Sequence, residues 1–418
     1  MDMLFVSLLF LLFNVVNTQN SSYKLFFVNA LWRHGDRTPL EGLGTVDHVK
    51  DNEWTIGGGG WGTLTTTGMR QHFNLGRKIR KRYINTGFLS QRYKAKEIYV
   101  RADDYNRTIA NIVGVDVPSV EGWPNGWIPI PVHVNSDNTK DHELNDASIC
   151  PRLTQLRNIV YSTKEWNQFI NDPQTIQVIR KIGEATNRSA TLQTLSHVID
   201  TLEAEAAHIN ILSSKNESIV DWYPWFFGSN GIREWAYGVA FHWQLFLEGL
   251  ANPGGLGDID IEKEISRIRG GALIRDILQQ AKGILNCTTE KEDNCDQFHR
   301  NLKYYALSAH DQTVSSYLIS LQAKLDTIGI AMPVYTATVI TEFYVEEQSR
   351  KEYFKVFYHD DETSDFRSIT SFVRGCPIDE AYCPLEVMEK LASVIDPGNI
   401  DELCQTNVNY SASTISPN

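Results

Sequence analysis

Seven consecutive residues near the start of the chain could do chemistry: Arg33, His34, Gly35, Asp36, Arg37, Thr38 and Pro39. Two guanidiniums flanking an imidazole repel one another and prefer solvent, so the group is a poor device for stability. A dianion placed among them removes the conflict. Arginine forks match phosphate oxygens two at a time and stay charged at every accessible pH. The same cations hold the His34 imidazole neutral below its usual titration point, which suits a nucleophile that attacks phosphorus. One ring nitrogen would attack; the other, hydrogen-bonded to backbone, would fix the tautomer.

Two later stretches can complete such a pocket. Arg101 follows one apolar run, and His310-Asp311 follows another. Arg33, Arg37 and Arg101 are expected to hold the three non-bridging oxygens, with His310 as a further member of the phosphate site. Asp311 is expected to protonate the leaving alkoxide and then to activate water. Free carboxyls ionise near pH 4, so that role favours acidic conditions. The covalent product of the first step would be a phosphohistidine at His34.

The five fixed residues of Arg-His-Gly-x-Arg-x-Pro arise by chance in about one chain of this length in 10⁴, at ~5% per residue. The pair His-Asp is uninformative alone, and a second copy stands at His359-Asp360. Only His310-Asp311 sits between a strand-like and a helix-like run. Rival phosphatase chemistries lack their residues. No cysteine has an arginine six positions on, no His-x-x-x-His spacing occurs, and no Gly-x-Ser-x-Gly elbow is present. No metal and no cofactor is therefore expected.

These residues need elements to carry them. Residues 25–32 are almost continuously apolar, as in a central strand covered on both faces. Residues 97–100 and 304–308 read as further strands, the second leading into a helix through Leu321. A strand, then a charged or imidazole side chain, then a helix: the pattern occurs three times. Open α/β sheets bind ligands at the carboxyl ends of their strands, so three such ends can share one crevice. A helix is expected from the Thr65–Thr67 cap to about Tyr83, with Met69, Phe73, Gly76, Ile79 or Arg80, and Tyr83 on its apolar stripe. The basic run 77–82 reads as a solvated face, and Gly57 to Gly60 as a surface loop. Residues 336–346 and 352–358 form an expected strand pair. From 120 to 295 helical periodicity prevails, with Trp222, Tyr223, Trp225, Phe226, Phe227, Trp235 and Trp243 as its expected core. The expected organisation is an α/β core of residues 19–119 and 296–418, with a mostly α-helical cap of residues 120–295 inserted.

The chain has 418 residues, 42% hydrophobic content and a formal charge of -12. That charge argues against nucleic-acid and anionic-membrane binding, so an anionic substrate must be drawn by a local cationic pocket. Residues 4–16 are apolar over signal-peptide length, with Val16 and Thr18 small enough for a cleavage site. A signal over residues 1–18 is expected, and with it a secreted or lumenal location. No later run suits a membrane anchor. Six cysteines in an oxidising compartment favour three disulfides. Proximity favours Cys287 with Cys295 and Cys376 with Cys383, leaving Cys150 with Cys404. Glycosylation candidates are Asn187, Asn216, Asn286 and Asn409; sequons also begin at Asn20 and Asn106.

The chain resembles the histidine acid phosphatases, and closely their prostatic and lysosomal type. The resemblance spans about residues 23–404. It rests on Arg33-His34-Gly35-Asp36-Arg37-Thr38-Pro39, Trp61-Gly62-Thr63-Leu64-Thr65, Gly68-Met69-Arg70-Gln71-His72, Tyr99-Val100-Arg101 and Ser308-Ala309-His310-Asp311. It implies a phosphohistidine at His34, a proton donor at Asp311, and phosphate binding by Arg33, Arg37, Arg101 and His310. It also implies a phosphoglycerate-mutase-like α/β core, a mixed sheet flanked by helices, with a helical cap and usually a homodimer. The expected substrates are small phosphate monoesters, phosphoproteins included. Two alternatives stand beside this reading: a phytase-like inositol phosphate phosphatase, and a non-catalytic secreted antigen or binding protein on the same fold.

Overall fold

The computed structural model describes residues 22–44, 48–109, 130–144, 149–213, 217–251, 259–289 and 295–410. The expected signal segment, the cap limit at 120, and the sequons at Asn20 and Asn216 lie outside them.

Among the described residues eight strands form one mixed sheet: β1 (Tyr23–Arg33), β2 (Ile98–Ala102), β3 (Val132–Val134), β4 (Tyr304–Ala309), β5 (Thr338–Glu346), β6 (Glu352–His359), β7 (Arg367–Ser368) and β8 (Cys383–Pro384). The order is β3-β2-β4-β1-β5-β6-β7, with β8 also on β6. β1, β4, β2 and β3 run parallel, whereas β5 and β6 run antiparallel. β1 is buried on both faces, as its unbroken apolar run requires. Phe27 and Leu31 enter one core layer, while Val28, Ala30 and Trp32 enter the other.

Helix α1 (Thr66–Ile79) begins where Thr65 accepts the Gly68 N–H at 3.1 Å. Its buried face is Gly68, His72, Leu75, Gly76 and Ile79, leading on to Tyr83. The expected stripe holds at Gly76, Ile79 and Tyr83 and fails at its start, where Met69 and Phe73 are exposed. Apolar periodicity misreads this helix because a glycine and a histidine occupy its inner face. The basic run departs from expectation at Arg82, whose Nε meets the buried Glu342 at 2.7 Å.

The segment expected to be a cap is helical, but both of its flanks belong to the sheet layer. β3 joins the sheet edge. The helix Gly271–Thr289 packs Leu273, Ile274, Ile277 and Leu278 against Leu31, Tyr305 and Phe343, so the expected limit at 295 lies beyond the packing boundary. Between these flanks the helices Pro173–Thr186, Leu192–Leu212 and Arg233–Glu248 close a separate core around Val178, Leu195, Leu202 and Phe226, with Trp222, Trp225 and Phe227 at its edge. Trp235 lies outside it, exposed. The three disulfides pair Cys150 with Cys404, Cys287 with Cys295 and Cys376 with Cys383.

One buried ion pair ties this helical layer to the core. Glu248, at the end of its helix, meets Lys324, with side-chain exposures of 2% and 1%, and accepts from Ser315 Oγ at 2.6 Å. Removing one partner strands the other charge away from water. Lys324→Met should lower the unfolding free energy by about 3 kcal/mol or more, and Lys324→Met with Glu248→Met should recover most of it, as read by urea denaturation.

Candidate active site

Parallel register brings three strand ends together. Arg33 lies level with Ala309, and the His34 N–H donates to Ala309 O at 3.0 Å. The Asp103 N–H donates to Ser308 O at 3.2 Å. Arg33-His34, Asp103 and His310-Asp311 therefore emerge into one crevice.

His34 is buried, and its Nδ1 lies 2.8 Å from the Gly35 carbonyl. A carbonyl only accepts, so Nδ1 carries the proton and Nε2 keeps its lone pair. Burial, and then the charges of Arg33, Arg37, His310 and Arg107, hold its pKa well below the usual histidine range. Arg33 reaches Pro333 O at 2.7 Å and Asp311 Oδ2 at 3.0 Å, with its guanidinium 4.4 Å over the Tyr335 ring. Arg37 holds Asp200 through both terminal nitrogens, at 3.0 and 2.8 Å. His310 lies ring to ring with His34 at 5.5 Å, and its Nε2 donates to the buried Asp103 Oδ2 at 2.8 Å.

Arg101 does not join them. β2 continues through Ala102, two residues past the expected end, so Arg101 stays inside the strand with its side chain on the sheet face. There it is paired with Asp141 at 2.8 Å and Glu143 at 2.7 Å. The guanidiniums that act most on His34 are those of Arg33, Arg37 and Arg107. The third guanidinium in the crevice is Arg107, on α2 (Asn106–Ile109). Burial first, then the repulsion of Arg37, brings its pKa down to about 10, and its guanidinium lies 4.3 Å over Tyr105. The only sequence signal for Arg107 was its place shortly after the strand expected at 97–100. The Nε atoms of Arg33, Arg37 and Arg107 are buried without a hydrogen-bond partner. Unmet buried donors of one sign around an imidazole suit an anion.

Tyr335 and Asp200 also escaped the sequence reading. The Tyr335 ring stands 5.8 Å from that of His34, on a segment that continues through Thr336 at φ +62°. A β-branched residue in that region is strained and must be held by its surroundings. Here the Thr336 N–H donates to His34 O at 3.2 Å. Gly60, expected in a surface loop, accepts from Thr38 Oγ1 at 2.7 Å and so braces the site loop from outside. The second His-Asp pair does not reach the crevice: His359 is buried at the end of β6 against Phe366, at 5.0 Å. Among the described residues no cluster of His, Cys, Asp and Glu could hold a metal ion.

Residues 24–359 match the family described as "Histidine phosphatase superfamily (branch 2)". The chain belongs to that superfamily. A putative acid phosphatase 10 of Caenorhabditis elegans is 31% identical, over 93% of this chain and 95% of that protein. Human prostatic acid phosphatase is 29% identical, over 95% and 92%. Among solved structures, Hafnia alvei phytase in its apo form superposes with a TM-score of 0.60, covering 92% of this chain and 98% of that one, at 15% identity. At that identity the likeness speaks for the fold alone.

In this histidine phosphatase the buried imidazoles set an acid limit on stability. Burial lowers the pKa of His72 to about 3 and that of His359 to about 4, and His34 is lowered as well. A histidine depressed in the folded state binds fewer protons there than in the unfolded chain between its two pKa values. Its stability contribution is full above about pH 6.5 and is lost as pH falls towards the folded pKa. For His72 the whole shift amounts to roughly 5 kcal/mol. The urea midpoint should therefore fall steadily from pH 7 to pH 4; a midpoint that rises over that range would show these imidazoles to be charged in the folded protein.

Proposed function

We propose that this chain is an acid phosphatase that hydrolyses phosphate monoesters through a phosphohistidine at His34. One observation carries the reading. A neutral His34, with Nδ1 committed to Gly35 O, leaves Nε2 unprotonated amid Arg33, Arg37 and Arg107. In the first step Nε2 attacks phosphorus, the ester P–O bond breaks, and the leaving oxygen takes a proton from Asp311. In the second step water attacks phosphorus, the N–P bond breaks, and Asp311 takes the proton from water. The three arginines and His310 balance the charge on the equatorial oxygens. Arg107 takes the place expected for Arg101.

Asp311 begins helix Asp311–Ser320 and accepts the Gln312 N–H at 2.8 Å. Burial raises its pKa, but Arg33, His310 and Arg37 together outweigh this and hold it below the usual range. The free enzyme therefore has an ionised Asp311. A bound phosphate dianion neutralises those cations and lets Asp311 take up a proton, and a monoanionic ester brings that proton with it. With a phosphomonoester second pKa of ~6, turnover of alkyl esters should fall as pH rises through 6.

The curated relatives named prostatic and lysosomal acid phosphatases, and three disulfides, support a secreted or lumenal location. Asn187, Asn286 and Asn409 are exposed, as glycosylation requires. The phytase alternative gains nothing from the structural likeness, which concerns only the fold.

Hydrolysis of p-nitrophenyl phosphate and an alkyl phosphate between pH 4 and 8 tests the reading. His34→Ala should abolish turnover of both. Asp311→Asn should reduce alkyl ester turnover far more than that of nitrophenyl phosphate, whose leaving group needs little acid help. Retained turnover in His34→Ala would remove the nucleophile assignment. A second comparison separates the arginines. Arg107→Ala should lower kcat/KM at least 100-fold with little loss of stability. Arg101→Ala should chiefly lower the melting temperature, because it leaves Asp141 and Glu143 without their cation.

A further inference from the structure

Two peptide planes meet at Gly35, and each is held at both ends. In the plane between His34 and Gly35, the carbonyl accepts from Thr336 N at 3.2 Å and the N–H donates to His72 Nε2 at 2.7 Å. In the plane between Gly35 and Asp36, the carbonyl accepts from His34 Nδ1 and the N–H donates to Gln71 Oε1 at 2.7 Å. Two of the four partners are thus neighbours on α1. The approach is close enough to require glycine on both sides: a Cβ at Gly35 would lie 2.5 Å from Gly68 O, and one at Gly68 would lie 2.1 Å from Asp36 O.

His72 occupies the buried face of α1, where an apolar residue would pack at lower cost. Burial keeps it neutral, so its Nε2 can offer a lone pair to the Gly35 N–H while Nδ1 carries the proton. A backbone N–H buried at Gly35 without that acceptor would cost about 1–3 kcal/mol and could regain a partner by rotating the peptide. Rotation would swing the Gly35 carbonyl away from His34. Gln71 acts on the carbonyl more directly. Donation by the Asp36 N–H polarises the peptide whose oxygen receives the His34 proton, and so strengthens that bond.

We propose that Gln71 and His72 are positioning residues. By pinning the two peptides that meet at Gly35, they keep the proton of His34 on Nδ1 and the lone pair on Nε2. The proposal rests on His34 as the nucleophile for its kinetic consequence, but not for its structural one. The tautomer exists in the resting protein and can be read there.

The test uses full-length protein with ¹⁵N-labelled histidine. NMR of the wild type at neutral pH should report His34 as protonated on Nδ1 alone. Gln71→Leu and His72→Phe should give a mixed tautomer and a kcat lowered 10–100-fold, with KM for p-nitrophenyl phosphate changed less than threefold. Gln71→Glu and His72→Gln, which keep an acceptor oxygen, should return kcat to within about fivefold of wild type. Lowered kcat with an unchanged tautomer would overturn the proposal, as would wild-type kcat in Gln71→Leu. Should His72→Phe fail to fold, Gln71→Leu decides alone, because that position is only half-buried. Turnover surviving in His34→Ala would end the nucleophile reading, whereas the tautomer measurement would still stand for or against the two α1 residues.

Discussion

A neutral imidazole buried among guanidiniums is the constraint on which the site depends. Left in water, His34 would titrate near pH 6.5 and compete with its neighbours for an anion. Buried, it stays neutral and its two nitrogens become inequivalent. The hydrogen bond from Nδ1 to Gly35 O then decides which nitrogen keeps its lone pair. That bond is short-range in sequence but long-range in origin. It stands only because β4, α1 and the segment before β5 each bind the backbone around it.

The helices between β3 and β4 also hold the site loop. The helix Leu192–Leu212 binds that loop at two points. Asp200 accepts from Arg37 and from the Leu40 N–H at 3.0 Å. His208 Nε2 meets Asp36 Oδ2 at 2.7 Å, and Thr65 Oγ1 donates to the same oxygen. Leu43 enters the cap core from the loop side. Helix and loop therefore hold one another. Arg37 is oriented by a carboxylate before any phosphate arrives, which reduces the rotamer entropy lost on binding.

Much of this was legible in the residues, and the misses share a cause. The strand at β1, the pairs Arg33-His34 and His310-Asp311, the strand pair β5–β6 and two of the disulfides could be read because they rest on local pattern or proximity; Cys150 with Cys404 followed by elimination. Arg101 was misplaced because a strand end cannot be read to within two residues. That error moves a side chain from the crevice to the sheet face. Arg107 lies in the segment Asn106–Ile109, where no motif singled it out. The stripe of α1 was misread because its inner face serves the loop through Gly68 and His72 rather than the apolar core. The helix Gly271–Thr289 shares its periodicity with the cap helices, and only its partners, Leu31 and Phe343, assign it to the sheet layer.

From the chain alone came the chemistry: which residue types could bind a phosphate, attack it and move a proton, and the α/β frame that could carry them. These follow from side-chain properties and from apolar periodicity, both of which are local. Tertiary structure decided which arginine lies beside Arg33, Arg37 and His34, which ring nitrogen keeps its lone pair, and which residues hold the Gly35 peptides in place. Those depend on distances between segments tens to hundreds of residues apart, set by parallel register and helix docking, and no local pattern encodes them.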